Sequence, residues 1–263
     1  MFETQREYFK KKAKDSIADK VDEVGWKNKR YCFCGDYSQN LDLPHFGSEQ
    51  PGDTYYFSPL TVNAFGLVDH ATEVLSAYVY DEGEGKKGGN NVCSLLYKKL
   101  EDEGCFEMAK EHGPGKELVF VFDNCAGQNK NRMVIRFMQY LIDCSIFKKI
   151  EVVFLIAGHA ENICDRRFKD LKKNFHPRNV YHFEDLVRVM REGPKGKESN
   201  QYLDVHSVTH EDFYNWDEFL NRFYRSKIPE IKKQHFFSFS AESNRVLNMK
   251  LCVTDTFLKE VRI

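Results

Sequence analysis

The chain has 263 residues and a formal net charge of −1, with 41% hydrophobic, 14% aromatic and 30% charged residues. This composition excludes a disordered chain, and the near-zero charge excludes a polycation, so nucleic-acid contacts would have to come from local basic patches. No apolar run approaches the about 18 residues of a membrane span, and no export signal begins the chain. Eight cysteines without a C-x-x-C pair favour reduced, buried thiols. We expect an intracellular protein without a membrane partner.

The first part of the chain predicts a helix followed by three strands. Residues 2–24 favour a charged surface helix, whose Lys10-Lys11-Lys12 run we expect to face solvent. β-branched and aromatic runs predict strands at residues 30–36, 55–68 and 74–80. Three successive strands are typical of an antiparallel meander. A helix capped by Asn90 or Asn91 is expected to follow.

The remainder alternates strands with helices. Residues 117–122 form an apolar run that predicts a strand buried on both faces, and it ends directly at Asp123. Further elements are predicted as helices at 131–146, 161–173, 184–191 and 211–224, as a strand at 150–157, and as one or two strands in the last thirty residues. A strand-helix-strand unit requires a right-handed crossover and a parallel pair. The expected fold is α/β, a mixed sheet of three antiparallel strands followed by parallel strands, flanked by helices.

Three carboxylates occupy special places in this order. Asp36 closes the first strand, Asp123 closes the fourth, and Asp165 lies on the helix after the fifth, one turn beyond Glu161. Ligand sites in open α/β sheets lie at the carboxyl ends of strands. Clustered carboxylates favour hard divalent cations, and two such ions about 4 Å apart can polarise both ends of a phosphodiester displacement. We predict that these three aspartates bind Mg²⁺ or Mn²⁺.

Several alternatives stay open at this site. Asp42 competes with Asp36, and Glu161 is a reserve third acid. His159 could orient a carboxylate or contact a metal or phosphate, although a histidine after a strand is more often simply hydrogen-bonded. Helix caps, strand-end turns and salt bridges are the plainer interpretations of the aspartates.

Two polar segments are candidates for contacts to DNA. Gln128, Asn129 and Lys130 lie at a predicted helix start, where backbone N–H groups favour phosphate. A dense basic stretch directly after the site includes Arg166, Arg167 and Lys169, which we predict to contact the DNA backbone. Ordinary loop polarity and a solvated helix face are the competing interpretations.

The two motifs at the site resemble a known family. Residues 123–131, Asp-Asn-Cys-Ala-Gly-Gln-Asn-Lys-Asn, and residues 158–168, Gly-His-Ala-Glu-Asn-Ile-Cys-Asp-Arg-Arg-Phe, are similar to an uncharacterised, transposon-derived domain family. The resemblance covers residues 30–225 and implies the ribonuclease H-like fold of DDE-type transposases and integrases. It implies a metal-dependent nuclease or polynucleotidyl transferase in which Asp36, Asp123 and Asp165 act with His159 and Glu161. DNA is then the expected partner and the nucleus the expected location; a homo-oligomer stays open.

The resemblance also suggests an organisation and a competing function. We predict an N-terminal helical extension at residues 1–29, a ribonuclease H-like core at 30–180 and a mainly helical C-terminal extension at 181–263. The chain departs from the family pattern at Ala126, where Gly is usual, and at Ala160, where Thr is usual. The alternative is therefore a non-catalytic, domesticated module that binds DNA or protein. A different α/β hydrolase using His159 is a third hypothesis, but it lacks a visible nucleophile.

Overall fold

The computed structural model of the chain describes residues 2–49, 51–155, 163–192, 202–243, 245–253, 255 and 258–263. Within them ten strands form one mixed sheet. The strands are β1 (Arg30–Tyr37), β2 (Leu41–Leu43), β3 (Leu60–Asp69), β4 (Leu75–Asp81), β5 (Gly115–Phe122), β6 (Phe147–Phe154), β7 (Leu203–Ser207), β8 (Phe236–Ser240), β9 (Val246–Lys250) and β10 (Lys259–Arg262). The helices are α1 (Phe2–Val21), α2 (Gly89–Asp102), α3 (Cys105–His112), α4 (Arg132–Asp143), α5 (Ile163–Lys173), α6 (Phe183–Glu192) and α7 (Trp216–Asn221).

The centre of the sheet has the strand order β4-β3-β1-β5-β6. β1 pairs antiparallel with β3, and β3 pairs antiparallel with β4. On its other side β1 pairs parallel with β5, which pairs parallel with β6. This order and these directions are those of the ribonuclease H-like fold. The predicted mixed sheet of three antiparallel strands followed by parallel strands, flanked by helices, is confirmed.

Helices cover both faces of the sheet. Alternate residues of a strand point to opposite faces, and Phe33 and Phe120 pack with α2, α3, α4 and α7. Cys34 and Val121 lie on the other face, with α1, α5 and α6. β5 is therefore buried on both faces, as predicted. Asp36 lies two residues after Cys34, and Asp123 lies two residues after Val121. The alternation of side chains along a strand therefore directs both aspartates to the face that α5 covers.

Several element boundaries differ from the predictions. Residues 52–56 form a 3₁₀ turn, so the strand predicted to begin at residue 55 begins at Leu60. The strand predicted at 150–157 begins at Phe147, and residues 156 and 157 lie outside the described residues. None of the helices that the structure describes is long and apolar enough to cross a membrane.

The C-terminal part adds strands to the sheet, where a mainly helical extension was predicted. β7 pairs parallel with β4, and β8 pairs antiparallel with β6. Both strands cover edges of the central five-stranded unit, whose backbone N–H and C=O groups would otherwise be open. Phe237 and Phe239 also bury their rings in the core on the side of α4. β8 lies in the last thirty residues, where one or two strands were predicted, whereas the short β7 was not predicted. The division at residues 30 and 180 stays a prediction.

A buried ion network holds α1 against the sheet. The Lys12 ammonium lies 2.6 Å from Glu117 Oε1 and 3.1 Å from Glu151 Oε2. The Tyr8 hydroxyl donates to Glu151 at 2.6 Å, and the Lys149 ammonium pairs with both glutamates. The expectation that Lys12 faces solvent is therefore wrong. Two carboxylates that point inward from β5 and β6 require a positive charge on this face.

Replacing Lys12 should destabilise the fold. Lys12→Ala leaves two buried carboxylates with Lys149 alone, and we expect the free energy of unfolding to fall by roughly 2–3 kcal/mol, less than the full effect of an unpaired buried charge. Urea denaturation followed by circular dichroism measures this change. Lys11→Ala is the matched control, since Lys11 is exposed on the same helix. Equal stability of the two variants would contradict the structural role of the network.

Candidate functional site

Strand pairing places Asp36 and Asp123 side by side. In the parallel register of β1 and β5, Gly35 lies opposite Phe122, and the two aspartates are the next residues of each chain segment. Neighbouring strands run about 4.8 Å apart, and parallel strands end at the same edge of a sheet. The competing candidate, Asp42, lies elsewhere: it is exposed on β2, opposite Thr61 of β3.

Close packing of α5 brings Asp165 to the same place. The Cys164 thiol donates to the backbone carbonyl of Cys34 at 3.0 Å, two residues before Asp36. Further along α5, Phe168 lies against Gly66 of β3, where an added Cβ would be only 2.6 Å from the Phe168 ring. Gly66 therefore lets the helix approach the sheet. The first turn of α5 lies beside the ends of β1 and β5, with Asp165 next to the anchoring thiol.

The three carboxylates act on one another electrostatically. Burial, together with the negative charges of Asp123 and Asp165, raises the pKa of Asp36 to about 7, against a hydrogen bond from the Tyr37 N–H and the charge of Lys87. The Tyr37 N–H lies 2.7 Å from Asp36 Oδ1. Like charges disfavour ionisation, so this site favours either a proton or a cation. No group of three or more acidic, histidine or cysteine side chains within the described ranges is arranged to enclose a metal ion.

The motif after Asp123 folds into a turn that leads into α4. The Cys125 carbonyl accepts backbone N–H groups of Asn129 and Lys130 at 3.0 and 2.9 Å. Asn131 caps the helix, since its side-chain oxygen accepts the N–H groups of Met133 and Val134. The predicted helix start is therefore correct. The polar run of the motif is largely explained by this turn and cap.

The expected DNA contacts of this turn need correction. Lys130 is 2% exposed, and its ammonium donates to the backbone carbonyl of Lys232 at 2.9 Å. Burial lowers the pKa of Lys130 to about 8. Asn129 is 0% exposed, and neither atom of its amide has a hydrogen-bond partner among the described residues. Both side chains face the interior, whereas Gln128 is half-buried.

The basic stretch of α5 divides into anchored and exposed residues. Arg167 donates to the Glu73 carbonyl at 3.0 Å, pairs with the Glu73 carboxylate and lies over the Tyr202 ring. Its guanidinium therefore fixes α5 to the turn between β3 and β4 and is occupied within the protein. Arg166 and Lys169 are exposed and stay predicted DNA contacts. His159 and Glu161 lie outside the described residues.

Two lysines near Asp36 were not recognised from the sequence. The Lys87 ammonium donates to the Ser38 carbonyl at 3.2 Å, and the Lys172 ammonium donates to the Gln39 carbonyl at 3.1 Å. Lys87 comes from the glycine-rich loop after β4, and Lys172 comes from the last turn of α5. Neither position carries a motif, because their proximity arises only from the packing of α5 and of the loop after β4 against the segment that follows β1.

Asp36 should make the stability of the protein pH-dependent. Its pKa of about 7 exceeds the value of about 3.9 for an unfolded aspartate, so its contribution to stability is complete below about pH 4 and is lost as pH rises to about 7. Asp36→Asn removes this titration. We expect wild type to lose roughly 2 kcal/mol relative to Asp36→Asn between pH 4.5 and pH 8, discounted for the partial exposure of Asp36. Urea denaturation at both pH values measures this, with Asp42→Asn as control; parallel curves for wild type and Asp36→Asn would contradict it.

Lys130 should matter for stability. Lys130→Ala removes a buried ammonium and leaves the Lys232 carbonyl without its donor, which we expect to lower the free energy of unfolding by about 2 kcal/mol. Arg132→Ala is the control, because Arg132 is exposed two residues further along. Thermal denaturation compares them. An unchanged Tm for Lys130→Ala would show that the ammonium is not held in the interior.

Comparison with known proteins identifies a family and a structural likeness. The model of a family described as a domain of unknown function (DUF7869) matches residues 53–255. No curated protein matches the chain. A solved structure, "Mos1 transposase paired-end complex with left transposon end", is similar at 11% identity and a TM-score of 0.35, covering 84% of this chain and 61% of that chain. This chain thus spans less than two thirds of that chain, and strand order alone carries the fold assignment. Because the family model covers most of its length, the chain belongs to the DUF7869 family of domains of unknown function.

Proposed function

We propose that this domain binds a divalent cation, Mg²⁺ or Mn²⁺, at Asp36, Asp123 and Asp165 and processes DNA phosphodiesters in the manner of a DDE-type transposase core. The observation that carries the proposal is the crowding of these three carboxylates at one end of the parallel strands. Burial and mutual repulsion already hold the pKa of Asp36 at about 7. A binding site for a cation explains why carboxylates would be placed in such an arrangement.

The chemistry of the donor set fits a hard cation. All three groups are carboxylates, which suit Mg²⁺ and Mn²⁺. The nearby thiol of Cys164 is engaged with the Cys34 carbonyl and is no competing soft ligand. Asp123 is exposed, so rotation of its side chain can shorten its separation from Asp36. His159 and Glu161 remain proposed members of the site.

The residues of the chain have distinct proposed roles. A bound divalent cation would supply positive charge that polarises a phosphodiester. Asp36 has a pKa of about 7, so its carboxyl can exchange its proton for the cation near neutral pH. Arg166 and Lys169 are exposed on α5 beside Asp165, where they can hold the DNA backbone. Cleavage would be the first reaction and strand transfer the second.

A non-catalytic module that binds DNA or protein is the second candidate. It is favoured by the absence, within the described ranges, of side chains that already enclose a metal ion. Burial of Asn129 and Lys130 also removes two of the expected contacts to DNA. The same fold would then serve binding without turnover.

Cation binding should release a proton from Asp36. In Mn²⁺ titration calorimetry at pH 6.5, we expect micromolar to millimolar affinity and release of roughly half to one proton, measured by comparing two buffers of different ionisation enthalpy. Asp123→Ala should abolish binding, and Asp36→Asn should remove the proton release. Asp42→Asn, which alters an exposed acid on β2, is the control and should behave as wild type.

The same variants then separate the two candidate functions. Wild type with Mn²⁺ should nick labelled DNA, whereas Asp123→Ala or excess chelator should leave it intact. Absence of Mn²⁺ and Mg²⁺ binding by wild type would overturn the catalytic proposal and favour the binding module. Binding that persists unchanged in Asp123→Ala would place the cation elsewhere and would overturn the proposed site.

A further inference from the structure

Two half-buried ammonium groups lie near each other just beyond Asp36. Lys87 is bound by the Ser38 carbonyl and the Asn40 side chain, and Lys172 by the Gln39 carbonyl. Neither forms a salt bridge with a carboxylate in the part of the chain that the structure describes. Burial lowers the pKa of Lys172, and the charge of Lys87 lowers it further, so the two positive charges repel each other. Such a pair favours an anionic ligand.

A cavity of about 540 Å³ is lined by Lys172 and by Asn40, whose side chain binds Lys87. Its wall includes Lys172, the amides of Gln39 and Asn40, and the rings of Phe57 and Phe175. Phe57 is 69% exposed and the adjacent Tyr56 is 84% exposed, so aromatic surface is open to solvent beside the cavity. Phe175 is covered by the His45 ring, with ring centroids 4.0 Å apart. The cavity therefore combines aromatic surface, amide groups, the Lys172 ammonium and the carboxylate of Asp42, so a bound phosphate would have to lie on the lysine side.

This combination matches the chemistry of a nucleotide. Aromatic side chains stack on bases, amides can bond base edges, and ammonium groups bind phosphates. The volume falls within the range of about 300–1,000 Å³ that is typical of small-molecule sites. A base inside a duplex is stacked and paired, so only an unpaired base can enter a side cavity of this kind.

The position of the cavity connects it to the carboxylate site. Gln39 and Asn40 follow Asp36 by three and four residues, and the charge of Lys87 acts on Asp36. α5 contributes to both places, with Asp165 in its first turn and Lys172 in its last. Seven residues of helix separate these two side chains by about 10 Å along the axis, which is short enough for one DNA strand to contact both.

We infer that this cavity binds an unpaired nucleotide of a DNA strand, with the base against Phe57 and the phosphate between Lys87 and Lys172. The inference rests on the proposed function, because the bound nucleotide would lie next to the phosphodiester that the three carboxylates process. It also specifies the substrate: DNA with a single-stranded extension is preferred over a blunt duplex. Binding itself requires no cation.

Fluorescence anisotropy in excess chelator tests the inference. The probes are a labelled blunt duplex and the same duplex with a short single-stranded overhang, and wild type should bind the overhang about tenfold tighter. Phe57→Ala should abolish this preference without changing the affinity for the blunt duplex. Lys172→Ala should weaken overhang binding about fivefold and reduce the salt dependence by about 0.7 of a logarithmic unit per unit of log salt, the effect of one phosphate contact.

Matched controls distinguish binding in the cavity from non-specific electrostatic attraction of DNA to lysines. Lys173→Ala removes an exposed charge from the next position of the same helix, where Lys173 pairs with Asp170, and should leave the overhang preference intact. Circular dichroism establishes that every variant is folded. Equal binding of the two probes by wild type, a preference that survives in Phe57→Ala, or equal effects of Lys172→Ala and Lys173→Ala would overturn the inference. Displacement of the overhang by an equal concentration of a free deoxynucleotide monophosphate would also overturn the inference, because the cavity would then take a free nucleotide as readily as one within a DNA strand.

The outcome is distinguishable from failure of the proposed function. Asp123→Ala should keep the overhang preference in chelator, because the aspartate is no part of the cavity. Overhang preference without cation binding by wild type would overturn only the catalytic proposal. Cation binding without overhang preference would overturn only the nucleotide cavity.

Discussion

The pairing of β1 with two neighbours of opposite direction is the constraint on which the rest of the structure depends. Its antiparallel partner β3 and its parallel partner β5 fix its register and determine to which face of the sheet each of its side chains points. Because side chains alternate along a strand, a shift of one residue would turn Asp123 toward the opposite layer of helices. The apolar residues of β5 prevent this shift, since both faces are buried in different cores. Burial of hydrophobic side chains thus determines where two carboxylates meet.

At the carboxylate site, electrostatic interactions are unfavourable for the ionised form of Asp36. Burial and neighbouring charges oppose ionisation of Asp36, whereas the carboxylates of Glu117 and Glu151 on the same sheet are paired with lysines. The two glutamates and the aspartate site therefore differ in whether lysines pair with their carboxylates. The glutamates are compensated and hold α1 in place, and the aspartates are left to a proton or an external cation. Uncompensated acids at the ends of strands are characteristic of functional sites, although structural networks can also perturb pKa values.

Long apolar runs made the central strands predictable from the sequence. Contacts between residues far apart in the sequence could not be predicted. β5 and the cap at Asn131 follow from local patterns, so the adjacency of Asp36 and Asp123 could be expected before the structure was known. The partner of Lys130 is a carbonyl 102 residues away, and nothing in the motif indicates it. A lysine in a polar run has the same sequence signature whether its ammonium meets phosphate, water or a buried carbonyl. Strands were predicted in the last thirty residues without positions, whereas the short edge strand β7 was not predicted.

The proposed binding of DNA by a chain of net charge −1 depends on how its positive charge is distributed. Many of its basic side chains are paired within the protein: Lys12 and Lys149 bind buried glutamates, and Arg167 binds Glu73. Net charge therefore says little about which cations face a ligand. Lys87 and Lys172 differ, since backbone carbonyls and an amide hold their ammonium groups and leave the charge unneutralised. Carbonyl groups orient an ammonium without cancelling its field, which persists in a half-buried setting better than at an open surface. In the proposed function, local charge held by neutral acceptors, rather than total charge, would direct a DNA strand to the acidic end of β1.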